Sequence, residues 1–115
     1  MSRIYTSHDM EVYVNAISTE ADGKDVEGHR YDVINGNQLG TIRFQQGTQK
    51  EAGHNGVTNE QLIAILIHRL EHLNKAPWNC RENSLAITHL QEAGFWLAHR
   101  TAQRLARGVE GTQTV

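Results

Sequence analysis

Apolar positions recur at helical spacing through the second half of the chain, in two runs separated by a proline. In the first run they fall every three to four residues, at Leu62, Ile63, Leu66, Ile67, Leu70 and Leu73. Thr58 and Gln61 fit a capping box, which predicts that this helix begins at Thr58. Pro77 should end the helix or follow it closely. A second capping pair, Asn79 with Glu82, predicts the start of another helix.

The second predicted helix is long for a chain of 115 residues. Positions 83, 87, 90, 94 and 97 share one face, and the apolar line continues to Leu105. With Arg107 as the last residue and Gly108 as C-cap, the helix would be roughly 40 Å long. An unpaired end of such a helix favours packing against another subunit. The pattern therefore predicts an antiparallel hairpin of two helices over residues 58–107, in an oligomer.

The first 46 residues show the pattern of β-strands. β-branched and aromatic residues are enriched over residues 4–17. Residues 31–34 are a short strand candidate, and Asn35-Gly36 is typical of a hairpin turn. Residues 39–45 alternate polar and apolar side chains, as a half-buried strand does.

These segments together predict an α+β fold in a single domain. The polar, glycine-marked segment Ala21–His29 is expected to be a loop. The predicted regions are a small antiparallel sheet in residues 1–46, a loop in 47–57, the helical hairpin in 58–107 and a tail in 108–115.

Charge and cysteine content restrict the function further. The net charge is −2 at pH 7, whereas a generic nucleic-acid binder carries a strong basic excess. The single cysteine, Cys80, excludes an intramolecular disulfide and suits a reducing cytosol. No apolar stretch approaches the ~20 residues of a membrane span, and the N-terminal residues lack the apolar core of a signal peptide. We expect a soluble intracellular protein whose partners include neither a DNA or RNA polymer nor a membrane.

Three arginines lie along the second predicted helix. Arg100, Arg104 and Arg107 are spaced by four and three residues, so they share one face beside the apolar line. Guanidinium groups in this position can hold phosphate through paired hydrogen bonds. Alternatively, they form a solvated cationic end that complements the helix dipole.

The turn between the helices carries one aromatic and one amide of interest. Trp78 could stack on a purine, or it could cap the end of the hairpin core. Asn83 falls on the apolar line, where a buried amide requires partners. It could bind a ribose or a base, or make a capping or interhelix hydrogen bond.

The remaining candidates favour structural roles. A ligand edge could be lined by Arg43, Phe44 and Gln45. An ordinary sheet with one solvent-exposed face explains these residues as well. His68 and His72 lie four residues apart without a further ligand pair, so we interpret them as surface residues and predict no metal site.

No catalytic machinery is evident in the chain. It contains no phosphate loop, Ser-His-Asp order or spaced carboxylate pair. Cys80 precedes a helix start but has no base partner specified by the sequence, so we interpret it as a packed residue. The prediction is a non-enzymatic binding protein without a metal or cofactor.

Three separated strings in the hairpin carry a resemblance to known proteins. They are NGVTNEQLIAILIHRL, PWNCRENSLAITHLQEA and HRTAQRLARGVEGT, with NGVTNE, CRENSLA and RGVEGT as the most specific pieces. The segment, residues 55–112, resembles the hairpin shared by the Thoeris anti-defence sponge and the anti-CBASS cyclic-oligonucleotide sponge of phages. The latter is almost purely helical. A strand-rich region ending in TIRFQQG ahead of NGVTNE is similar to the Thoeris type.

This resemblance implies a function and a set of ligand-binding residues. Thoeris sponges sequester a cyclic ADP-ribose isomer, the alarm signal of the defence, in the host cytoplasm without cleaving it. The family implies a dimer or hexamer, and for some members cyclic di- or trinucleotides at separate pockets. By position, its turn aromatic (commonly phenylalanine), turn polar residue and late-helix arginines fall on Trp78, Asn83, Arg100 and Arg104. Arg107 and Arg43 join the predicted ligand-binding set from the residue patterns alone.

Three other functions remain open at this point. The chain could be a sponge mainly for the cyclic di- or trinucleotides of CBASS-type defence. It could be an enzyme that cleaves the signal. It could also be a structural phage protein, or a helical hairpin that binds a partner and no small ligand.

Overall fold

The computed structural model describes residues 1–110 and divides into two compact units between Val57 and Thr58. Among the described residues of the first unit, four strands form an antiparallel sheet in the order β1-β2-β3-β4. The strands are β1 (Ser2–Thr6), β2 (Tyr13–Thr19), β3 (Asp25–Ile34) and β4 (Gln38–Arg43). A one-turn helix, α1 (Gln49–Ala52), follows inside the segment predicted to be a loop.

The second unit contains a hairpin of α2 (Asn59–Leu73) and α3 (Arg81–Arg107). The predicted α+β class, with a sheet followed by a helical hairpin, is confirmed. The single domain and the oligomer stay predictions. Most of the predicted tail, residues 111–115, lies outside the described residues. Over residues 1–110, neither long helix combines the length and apolar character needed to cross a membrane.

The strand boundaries differ from the prediction in two places. The strand-like stretch 4–17 contains two strands, because a turn closed by the Ser7 N–H donating to the Val12 carbonyl (2.7 Å) separates β1 from β2. The loop prediction for Ala21–His29 was wrong over its second half. β3 begins at Asp25, which pairs with Thr19, and the tight turn from Glu20 to Lys24 joins the strands. The predicted Asn35-Gly36 turn is confirmed between β3 and β4, with Gly36 at φ +85°.

Register gives the sheet one apolar face and one face that carries a charged network together with the buried Ile17. Directly paired residues on adjacent strands point to the same side. One side carries the rows Val14–Val33–Gly40 and Ala16–Tyr31–Ile42. The other side carries the rows Asn15–Asp32–Thr41 and Ile17–Arg30–Arg43. The predicted alternation along β4 is thus confirmed, and its polar side belongs to a charged network.

A close backbone approach joins the end of β4 to the segment before α2. Phe44 and Val57 form an isolated parallel bridge, in which the Gln45 N–H donates to the Val57 carbonyl at 2.7 Å. Gly56 lies against this bridge. A Cβ at Gly56 would come within 2.6 Å of the carbonyl carbon and oxygen of Phe44.

We expect Gly56→Ala to destabilise the sheet unit by about 1–3 kcal/mol, the usual range for overpacking. The added methyl group meets backbone atoms, which cannot rotate away as a flexible side chain would. Gly40→Ala is the matched control, since a Cβ there has no heavy atom within 4 Å. Urea unfolding of both variants measures the difference. Equal midpoints for the two variants would contradict the close approach.

Local signals define the ends of both long helices. At the start of α2, the Gln61 N–H donates to Thr58 Oγ1 and the Thr58 N–H donates to Gln61 Oε1, so the predicted capping box is confirmed. α3 begins at Arg81, with Cys80 rather than Asn79 as its N-cap. Gly108 caps α3 in the left-handed conformation at φ +74°, as predicted.

The helices pack through one half-buried face each. On α3 this face contains Asn83, Ile87, Leu90, Gly94 and Leu97, which confirms the predicted line as far as Leu97. A Cβ at Gly94 would lie 3.9 Å from Cγ2 of Ile63, so α2 and α3 come close at this glycine. Leu105 was placed on the same line but is 64% exposed. The outer surface of the hairpin also carries large apolar side chains in solvent, among them Ile65, Leu66, Leu73, Phe95 and Trp96.

Candidate functional site

Asn74 organises the turn between α2 and α3. Its Oδ1 accepts the Cys80 N–H at 3.0 Å, and its Nδ2 donates to Ser84 Oγ at 3.0 Å. The Cys80 thiol, predicted to be a packed residue, is exposed and accepts the Asn83 N–H at 3.5 Å. Asn74 and Ser84 thus fix the shape of the turn. The sequence analysis missed both, because their contacts span six and ten residues and follow no cap pattern.

Trp78 lies on this turn with its side chain in solvent. The residue is 77% exposed, and its backbone N–H donates to the Lys75 carbonyl at 2.8 Å. The alternative that Trp78 caps the hairpin core is therefore wrong for the single chain. A rigid turn that presents an exposed indole offers a flat face for stacking.

Asn83 lies nearby on the half-buried face of α3. The interhelix hydrogen bond expected as its alternative role is made by Asn74 and Ser84 instead. Within residues 1–110 no hydrogen bond of the Asn83 side chain is found. Its amide is therefore available for a ligand or for another chain.

The three arginines of α3 differ in environment. Arg104 is 7% exposed, and its guanidinium donates to the Val109 carbonyl at 2.9 Å and lies 3.5 Å from the Glu110 carboxylate. Arg104 thus holds the chain where it leaves the helix. Arg100 and Arg107 are exposed. Arg104 thus does not fit the predicted solvated cationic end, because it is buried against the chain that follows, while Arg100 projects into solvent.

The turn residues and the arginines lie at opposite ends of α3. Arg100 follows Asn83 by 17 positions within the helix, which corresponds to about 25 Å along its axis. A single chain therefore does not bring the indole and amide of the turn together with Arg100.

Arg43 belongs to a charged network on the polar face of the sheet. It is 54% exposed and forms an ion pair with Glu20, which Arg30 also contacts at 2.5 Å. The Arg43 hydrogen bond holds the pKa of the Glu20 carboxyl below its usual range. Arg30 in turn binds the buried Asp32 through two nitrogens, at 3.2 and 3.1 Å, and this contact raises the pKa of Arg30. The sequence analysis missed Glu20, Arg30 and Asp32, although the spacing of Arg30 and Asp32 by two residues puts them on one face of a strand.

Phe44 lines a hollow of the sheet unit beside Arg43, whereas Gln45 does not. Phe44 packs edge-to-face on Tyr31, with ring centroids 5.8 Å apart. Gln45 Nε2 donates to the Gly53 carbonyl at 2.6 Å, and Gln45 Oε1 accepts the Asn55 N–H at 3.1 Å. Both side chains are used inside the sheet unit.

The histidines of α2 are surface residues, as interpreted from the sequence. His68 and His72 line a shallow depression on the outer face of α2 together with Ala64, Ile65 and Arg69. Among residues 1–110 no three His, Cys, Asp or Glu side chains are grouped so that they could hold a metal ion.

Comparison with known proteins agrees with the architecture. A family model described as the Acb2/Tad1 hairpin domain matches residues 37–102. The match runs from the β3–β4 turn into the last part of α3 and covers more than half of the 115 residues. The chain belongs to the Acb2/Tad1 hairpin family. The resemblance inferred from the strings of the hairpin is confirmed.

A named relative supports the same assignment. Thoeris anti-defense 1 of Bacillus phage SBSphiJ7 is 55% identical over 75 residues, which is 65% of this chain and 53% of the relative. The chain thus spans about half the length of that relative.

Proposed function

We propose that this protein is a phage anti-defence sponge that sequesters a cyclic ADP-ribose isomer, such as glycocyclic ADP-ribose, without cleaving it. Membership of the Acb2/Tad1 hairpin family supports a sponge, and the name of the relative from Bacillus phage SBSphiJ7 supports the Thoeris system. By binding the signal in the host cytoplasm, the protein would keep the Thoeris effector inactive. The observation that carries the proposal is a pair of exposed surfaces. One is the turn with Trp78 that precedes α3, and the other is formed by the exposed arginines near the end of α3.

Each surface suits one part of the ligand. A cyclic ADP-ribose isomer carries an adenine, two riboses and a pyrophosphate. Trp78 would stack on the adenine, and Asn83 would donate or accept hydrogen bonds to ribose or base. Arg100 and Arg107 would bind the pyrophosphate through charge-assisted hydrogen bonds. Arg104 would position this end of the helix, because its guanidinium is already bound to the chain that follows.

The separation along α3 determines how such a pocket is built. The two surfaces are about 25 Å apart in one chain, whereas a ligand of this size must contact both at once. Two chains with their α3 helices antiparallel would bring Trp78 of one chain beside Arg100 of its partner. The proposed pocket is therefore shared between two copies, and a twofold dimer contains two such pockets.

A non-catalytic role agrees with the chemistry of the hairpin. Its candidate contacts are an indole, an amide and guanidinium groups, none of which is a general base near neutral pH. A sponge must compete with an effector, and nanomolar binding corresponds to about 12 kcal/mol. A pocket preformed by assembly lowers the ordering cost on binding and so helps to reach such affinity.

Recovery of the ligand tests the proposal directly. Purified protein is incubated with a cyclic ADP-ribose isomer, unbound ligand is removed, and the protein is denatured by heat. We expect mass spectrometry to detect intact ligand in proportion to the protein. Ligand found entirely in the wash would overturn the proposal. A parallel incubation with cyclic di- and trinucleotides covers the CBASS-type alternative, and a converted product would identify an enzyme.

A further inference from the structure

The sheet unit contains a hollow with a charged lining, to which the proposed ligand-binding residues of the hairpin do not contribute. Its cavity volume is about 60 Å³, which rises to about 340 Å³ when the open solvent at its mouth is included. Its polar lining includes Glu20, Lys24, His29, Arg30, Arg43 and Asn55. All of these residues belong to the first unit. Three permanent cations therefore face a single carboxylate across a concave surface.

The carboxylate of Glu20 lies between the two guanidinium groups. Its Oε2 accepts from Arg30 at 2.5 Å, and its Oε1 accepts from Arg43. Each oxygen thus takes one N–H from a different arginine. A phosphate group bridged by two arginines uses the same arrangement of donors.

The two arginines are committed to Glu20 to different extents. Arg30 also binds Asp32 with two nitrogens, so it stays in place when Glu20 moves. Arg43 is paired with Glu20 and is 54% exposed. Glu20 itself follows the last residue of β2, in the turn closed by its N–H donating to the Lys24 carbonyl at 2.8 Å. Its side chain can therefore swing out while the backbone hydrogen bonds of the sheet remain.

We propose that this hollow is a binding site for a phosphate group, and that Glu20 is an exchangeable internal anion that occupies it and sets its affinity. An incoming phosphate would replace the Glu20 carboxylate between Arg30 and Arg43. A phosphate group carries more negative charge and more acceptor oxygens than a carboxylate, so it can also engage Lys24. The ligand class is a nucleotide or another phosphate compound.

Near neutral pH, Glu20 competes with phosphate for the two arginines as a charged group. Because Arg43 lowers the pKa of the Glu20 carboxyl, the side chain stays ionised there. Every phosphate that binds must then displace a charged group. The proposal uses residues of the sheet unit alone, so it stands or falls separately from ligand capture by the hairpin.

The test compares Glu20→Gln with Glu27→Gln by calorimetric titration with inorganic pyrophosphate. Both variants remove one negative charge, but Glu27 is exposed on β3 and is not part of the hollow. We expect Glu20→Gln to bind pyrophosphate roughly tenfold more tightly than the unmodified protein, which is the effect of about one charge-assisted hydrogen bond. Glu27→Gln should bind as the unmodified protein does. Equal binding by the two variants would overturn the proposal.

A second measurement covers the case in which Glu20→Gln fails to fold. Pyrophosphate is added to the unmodified, ¹⁵N-labelled protein, and backbone amide shifts are followed. We expect the largest changes at residues 20, 24, 30 and 43. Changes confined to the hairpin, or no changes, would overturn the site. Adding Arg43→Ala to Glu20→Gln should remove the gain in affinity, whereas a gain that persists would contradict the role of Arg43.

Discussion

Trp78→Ala and Arg100→Ala chains should each lose capture of the cyclic ADP-ribose isomer, and an equal mixture of the two should regain part of it. The reason is the separation of about 25 Å along α3. If each pocket takes Trp78 from one chain and Arg100 from its partner, a mixed dimer has one intact and one doubly defective pocket. Random pairing makes half of the dimers mixed, so the mixture should recover roughly one quarter of the normal capacity.

The expected loss in each single variant is large. A charge-assisted hydrogen bond contributes about 1.5–3 kcal/mol, and base stacking contributes about 1–3 kcal/mol. Affinity should therefore fall on the order of 10- to 100-fold in each case. Both side chains are exposed, so the melting temperature of the hairpin should stay nearly unchanged. Arg104→Ala is avoided because Arg104 also holds the end of α3.

The mixture must be formed so that subunits can exchange, by co-expression or by joint refolding. Arg69→Ala is the control for loss of an arginine, since Arg69 lies on the outer face of α2. Captured ligand is measured after removal of the unbound fraction. A mixture that captures no more than the average of the two single variants would exclude a pocket shared in this way.

Asp32→Ala should destabilise the sheet unit by about 3 kcal/mol, the lower end of the range for breaking a buried ion pair. Asp32 is buried and accepts four hydrogen bonds, two from Arg30 and one each from Gln38 and Thr41. Alanine would leave all these donors without their acceptor. The lower end of the range applies because Arg30 is 19% exposed and can regain some water.

Asp32→Asn gives a graded comparison for this prediction. Asparagine keeps the shape and one acceptor oxygen, so it should lose less stability than alanine. Glu27→Gln controls for the loss of one negative charge at an exposed site on the same strand. Thermal unfolding followed by the backbone amide signals of β2 and β3 in nuclear magnetic resonance spectra gives the order. If Asp32→Ala and Glu27→Gln have the same melting temperature, the charged network does not stabilise the sheet.

The sequence predicted those parts of the fold that depend on neighbours along the chain. The capping box of Thr58 and Gln61 spans three residues, and the turn at Asn35-Gly36 needs only the backbone freedom of Gly36. The start of β3 at Asp25 was not predictable in this way. It depends on pairing with Thr19 across a turn, and the polar residues of this segment favour a loop when read alone.

The candidate site was predictable to a similar extent. Spacing alone placed Arg100, Arg104 and Arg107 on one face of a helix. It could not show that Arg104 turns back to the Val109 carbonyl, because this bond forms only once Gly108 reverses the chain. The pairing of Glu20 with Arg43 spans 23 residues, and no local pattern indicates it.

The exposed apolar side chains of the hairpin have a consequence for its thermodynamics. Phe95, Trp96 and Leu105 are each about 60% exposed in the single chain. Any molecule that covers them adds a transfer free energy of about 25 cal/mol for each Å² removed from water. By mass action, this gain enters the measured stability and makes it depend on the concentration of the covering molecule. Dilution that releases the covering molecule should therefore lower the stability of this hairpin, as a denaturant does.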